Sequence, residues 1–139
     1  MMNRSSLVLV LVSLAAMLTG CGPANNSLRG KVIEGPVSFM MPVDANDPRL
    51  AGPGIADVAV EARAGTGRGS GTKYCSAKTN DLGEFRLAFG DQQAVLMRTI
   101  EFVGEKPGYQ MAKVEMNLFS SSRRLLIVLQ PVEAPKPTR

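Results

Sequence analysis

The sequence predicts an all-β domain, a seven-stranded Greek-key β-sandwich. Three observations carry that prediction. Short runs that alternate apolar and polar residues recur along residues 29–130, with the period of two that a half-buried strand requires. Gly, Pro, Asn and Asp stand between the runs, where turns are needed. No run carries the i, i+3, i+4, i+7 spacing and caps of an amphipathic helix. Seven short strands over about 100 residues fit two packed antiparallel sheets.

In chain order, the first strand covers residues 29–33. The second sets Val58, Val60 and Ala62 against Glu61 and Arg63, and the third covers 72–79. The fourth turns Phe85, Leu87 and Phe89 one way and Arg86 the other. The fifth opposes Ile100 and Phe102 to Thr99 and Glu101, and the sixth opposes Ala112, Val114, Met116 and Leu118 to Lys113 and Glu115. The seventh covers 124–130. Asn80-Asp81-Leu82-Gly83 and Lys106-Pro107-Gly108-Tyr109 supply turn chemistry between neighbouring runs. Two segments interrupt the pattern: a Pro-, Gly- and Asp-containing insertion at 36–53 and a glycine-rich loop at 65–71.

Ahead of this domain lies an export-type layout: a head whose one charge is Arg4, an apolar run at 7–17, and small residues before Cys21. Leu18-Thr19-Gly20-Cys21 resembles the lipobox of bacterial lipoproteins. The resemblance implies cleavage between Gly20 and Cys21 and a fatty-acylated thiol at the new N-terminus. The apolar run is shorter than the roughly 20 residues that a transmembrane helix needs. The alternative is an ordinary secretory signal cut near Ala16, with Cys21 an incidental thiol. On the lipoprotein reading, residues 1–20 are a signal peptide, 21–27 a lipidated tether, 28–131 the sandwich and 132–139 a disordered tail. Each buried methylene contributes about 0.8 kcal/mol, so two acyl chains hold stably. The expectation is an extracytoplasmic protein, anchored by lipid in the inner or the outer membrane.

Removing Arg4 with the signal leaves 15 Lys+Arg against 12 Asp+Glu, a net charge of +3 with no long basic block. Such a balance serves solubility, and export argues against a nucleic-acid partner. An acylated Cys21 cannot pair with Cys75, so the core must stabilise the fold unaided. Cys75 shares a strand face with Ala77 and Thr79 and reads as a small hydrophobe before a reactive thiol.

Four motifs also resemble those of the carboxypeptidase regulatory-like domain, a transthyretin-like (prealbumin-like) β-sandwich. They are Gly30-Lys31-Val32, Gly54-Ile55-Ala56-Asp57-Val58-Ala59-Val60, Thr79-Asn80-Asp81-Leu82-Gly83-Glu84-Phe85 and Lys106-Pro107-Gly108-Tyr109. In that pattern Gly83 is expected at positive φ, with Phe85 plugging the core. Asp57 stands where the family more often has glycine, and the 36–53 insertion is long for it. The resemblance implies a fold and an extracytoplasmic interaction module without peptidase activity.

The residues support the same expectation. The chain has no histidine, which removes Ser-His-Asp and Cys-His catalysis and imidazole zinc sites. Glu101 and Glu115 are expected to face outward, with no pocket between them. No enzyme activity, cofactor or metal is therefore expected. Asp44, Asn46 and Asp47 lack the spacing of an EF-hand loop and read as a solvated loop before a calcium site. The 65–71 loop lacks the Gly-Lys-Ser/Thr ending of a phosphate loop. Its neighbourhood supplies Arg63, Arg68 and Lys73, a candidate contact for an anionic surface. The last strand is apolar on both faces. Either the 36–53 insertion covers Leu126 and Val128, or these two form a patch for a partner. The expected function is a non-enzymatic binding or scaffold module at the cell envelope, its ligand an envelope protein or polysaccharide. The alternative is a structural subunit of an envelope assembly that contacts its partners through the final strand.

Overall fold

The computed structural model describes residues 27–65, 72–89 and 99–133. Eight strands form in them: β1 (Ser27–Glu34), β2 (Phe39–Asp44), β3 (Ala59–Ala64), β4 (Lys73–Lys78), β5 (Glu84–Ala88), β6 (Thr99–Glu105), β7 (Ala112–Asn117) and β8 (Arg123–Leu129). They build two four-stranded sheets, ordered β2-β8-β1-β5 and β4-β3-β6-β7. No helix among the described residues is long and apolar enough to cross a membrane. The all-β, two-sheet expectation holds.

The strand count is corrected from seven to eight. The expected insertion contains β2, which hides because Pro42 interrupts Phe39-Met40-Met41-Pro42-Val43. Proline cannot donate to a ladder, and β2 is an edge strand that pairs only with β8, so one of its sides needs no donor. The pairing is also not purely antiparallel. β1 runs parallel to β8, with Gly30 opposite Leu125 and Val32 opposite Ile127.

The core lies between the sheets. Leu28, Val32, Phe85, Leu87, Leu125, Ile127 and Leu129 meet Val60, Ala62, Ile100, Phe102 and Ala112. At roughly 25 cal/mol per Å² of apolar area, this burial is the main stabilising term.

The quoted glycine motifs converge on one strand. Gly30 pairs with Phe85 across β1 and β5, and a Cβ on Gly30 would strike the Phe85 ring and the Leu125 carbonyl. Gly83 sits at φ +76° and packs backbone to backbone on Gly54. Val32 N–H donates to the Gly83 carbonyl at 2.8 Å, and its own carbonyl accepts from Ile55 N–H at 2.9 Å. Phe85 is buried, as expected. Asp57 adopts φ +58°, the left-handed conformation that a glycine takes more readily.

Candidate functional site

A second, smaller apolar cluster lies on the outer face of the β2-β8-β1-β5 sheet. Leu126 and Val128 point there with Val43, Ile33 and Leu50. Residues 45–52 fold over them through a 3-10 turn, Pro48–Leu50. The Asp47 side chain caps this turn, accepting from Arg49 N–H at 2.9 Å. Lys31 ties the strap down. Its Nζ donates to the Leu50 carbonyl at 2.9 Å and to that of Gly52, and the residue is only 6% exposed.

Leu126 and Val128 are therefore no open patch: they are 0% and 4% exposed. β8 is an inner strand, with β2 on one side and β1 on the other, so it has no free edge to offer. The Asp44 and Asp47 carboxylates both stand beside arginines. The Asp47 carboxylate is held by Arg49 at 2.8 Å, while Asp44 lies 3.9 Å from Arg123. The Arg49 guanidinium and N–H hold the Asp47 carboxyl down at about 2.

Arg63 and Lys73 lie on the other sheet, opposite one another across the β3–β4 bulge. The Arg63 guanidinium is already paired with Glu61, Nε to Oε2 at 2.8 Å. Glu101 is paired with Lys113 at 3.0 Å. Arg68, Gly20 and Cys21 lie outside the described residues. Cys75 is half-buried on β4, and that burial pushes its thiol up to about 11.

A different group of cations comes together beside the strap. A cleft of about 640 Å³ is lined by Arg29, Lys31, Lys78, Glu84, Arg86 and Arg124, with Gly30 and Phe85 in its wall. Arg29 and Arg86 are directly opposed across β1 and β5. Arg124 lies one residue before the Gly30–Leu125 pair on β8. Three arginines thus occupy one row across three adjacent strands, whose backbones lie about 4.8 Å apart. Glu84 stands opposite Lys31, but the ammonium goes to the strap carbonyls instead. Among the described residues, no ion pair engages Arg29, Lys31, Lys78, Arg86 or Arg124. The cleft therefore carries five cationic side chains and one carboxylate.

Sequence reasoning placed the cationic contact on Arg63, Arg68 and Lys73 and missed this row. The available signal was the outward-facing Arg86 and Arg29 on their strands. What was missing was the pairing that joins them to Arg124.

No protein-family model matches the chain. No curated protein matches it either. Among solved structures, it is similar to the 3-chlorocatechol 1,2-dioxygenase of Rhodococcus opacus 1CP at 12% identity and a TM-score of 0.39. That similarity covers 76% of this chain and 60% of the dioxygenase chain, and it carries no functional argument.

Proposed function

We propose that the protein is an exported lipoprotein, attached to the envelope through acylated Cys21, whose sandwich is a non-enzymatic binding module. The observation that carries this reading is the closeness of the lipobox-like Leu18-Thr19-Gly20-Cys21 to the domain: β1 begins at Ser27. Six residue steps span at most about 20 Å, at 3.3–3.6 Å each. An anchor at Cys21 therefore confines the β1 end of the sandwich to the bilayer surface. Confinement raises the effective concentration for weak contacts in that plane, so display alone suffices as a mechanism.

The finer fold reading, a transthyretin-like Greek-key sandwich of the carboxypeptidase regulatory-like kind, belongs to the same proposal. Its support is the meeting of the Gly30, Gly54, Gly83 and Phe85 motif positions around Val32. Binding then falls to the outer surfaces, where side chains leave the core pattern intact.

The test is the chemistry of Cys21. Cells fed labelled palmitate should incorporate it into the wild-type chain and not into Cys21→Ser. Mass spectrometry of the purified protein should find its N-terminus at residue 21. An N-terminus elsewhere, with an unmodified Cys21 thiol, would overturn the reading.

A further inference from the structure

We infer that the cleft over β8, β1 and β5 is a binding site for a phosphate group, held by Arg29, Arg86 and Arg124. This gives the binding module a ligand class, while the site itself stands whether or not Cys21 is acylated.

The first argument is electrostatic. Like charges directly opposite each other on paired strands destabilise a sheet, and here Arg29 faces Arg86 with Arg124 on the next strand. Elsewhere in the domain a charge is met by an opposite one: Glu61 by Arg63, Asp47 by Arg49, and Glu101, which faces Glu115 across β6 and β7, by Lys113. The cleft carries no such pairing for its arginines. A bound anion supplies the missing charge.

The second argument is geometric. A phosphate presents three strong acceptor oxygens, and each guanidinium offers a planar fork of donors, although Arg124 already gives its Nη1 to the Ser121 and Arg123 carbonyls at 3.1 and 3.2 Å. Three arginines from three adjacent strands match three oxygens, whereas a carboxylate has only two. Arginine is also the side chain best suited to such bidentate recognition.

The third argument is the cleft itself. Its volume of about 640 Å³ lies within the range of small-ligand sites. Lys31 forms its floor, almost fully buried and fixed by the Leu50 and Gly52 carbonyls. Its charge stays in place with no carboxylate paired to it, which raises the local positive potential. Glu84, on the rim, favours a ligand whose phosphate bears a hydroxyl or amine beyond it.

The phosphate has two available sources, a soluble phosphate compound or a lipid headgroup. The full-length chain in a neutral, phosphate-free detergent tests both. Inorganic phosphate is titrated at constant ionic strength against chloride, and separately the micelles are doped with phosphatidic acid, whose monoester phosphate keeps three terminal oxygens. The readouts are the thermal midpoint and the arginine Nε–Hε resonances. Wild type should show a saturable rise in midpoint with at least one probe, together with shifted Arg29, Arg86 and Arg124 signals. A response to inorganic phosphate assigns the soluble source, and a response to doped micelles alone assigns the headgroup.

Arg29→Gln/Arg86→Gln should weaken the response at least tenfold. Without ligand, that variant should melt no lower than wild type, because repulsion has been removed. No response to either probe, or an undiminished response in the double variant, would overturn the assignment. Neither substitution touches Cys21, so this result and the palmitate result fail separately.

Discussion

Thr79 offers the sharpest test of how the motif positions hold the two sheets. It is 4% exposed, and its hydroxyl joins two backbone groups that lie outside any ladder. Thr79 Oγ1 donates to the Ile55 carbonyl at 2.6 Å and accepts from Val58 N–H at 2.9 Å. Thr79→Val keeps the shape and removes both bonds. Each buried group left without a partner costs about 1–3 kcal/mol, so the pair places the variant about 2–6 kcal/mol below wild type. That is a large share of a stability that for domains of this kind is about 5–15 kcal/mol. In urea the midpoint should fall by on the order of 1–3 M with an unchanged slope. Thr79→Ser keeps the oxygen and loses one methyl group, so it should fall by only about 1 kcal/mol. The assay is equilibrium unfolding followed by circular dichroism. If Thr79→Val unfolds within about 0.5 kcal/mol of wild type, the hydroxyl bridge does not hold the Ile55–Val58 segment, and the reasoning fails.

Four further outcomes are expected. Gly30→Ala should lose about 1–3 kcal/mol through its clash with the Phe85 ring, and Phe85→Leu in the same chain should recover part of that loss in a double-mutant cycle. Lys31→Met should free the strap and make Arg49 a new tryptic site in the folded protein, detected by limited proteolysis and mass mapping. Cys75 should resist iodoacetamide at pH 8 until the chain is denatured, because its thiol is pushed up to about 11; a count of one alkylated thiol after denaturation, and not two, fits an acylated Cys21. Asp47, held down at about 2, contributes stability that is fully present above its ordinary value near 3.8 and lost as pH falls through about 2. Asp47→Asn keeps the turn cap and loses the charge pair, so its stability difference from wild type should be constant above pH 5 and shrink toward pH 2.

The strands that sequence reasoning recovered are those with clean alternation, because a period of two needs only local information. β2 escaped it for a local reason, the proline at position 42 on an edge strand. Yet the segment announced itself indirectly. Leu126 and Val128 are apolar on the face that water would otherwise meet, and something had to cover them. β2 and the strap of 45–52 do so together, through Val43 and Leu50. The cationic cleft had no local signature. Arg29, Arg86 and Arg124 stand far apart along the chain, and only the antiparallel β1–β5 pairing and the parallel β1–β8 pairing bring them into one row. An antiparallel reading of every neighbour leaves Arg124 with no partner to suggest.

β1 shows how fold and site are tied together. Its even positions, Leu28, Gly30 and Val32, face the core, and its odd positions, Arg29 and Lys31, face the cleft. Because strand side chains alternate with a strict period of two, a slip by one residue would carry both cations into the apolar layer. Burying a charge without a partner costs several kcal/mol, so the core pattern and the cleft enforce the same register. Phe85 closes the lock, since its ring fills the space that glycine leaves at position 30. The same contact sets Arg86 against Arg29 one residue away. The packing that excludes water from the centre of the domain thus also fixes the spacing of guanidinium groups on its surface. The arginine row needs no loop to set its spacing, which is that of the strands that carry it; the strap adds only the buried Lys31 ammonium.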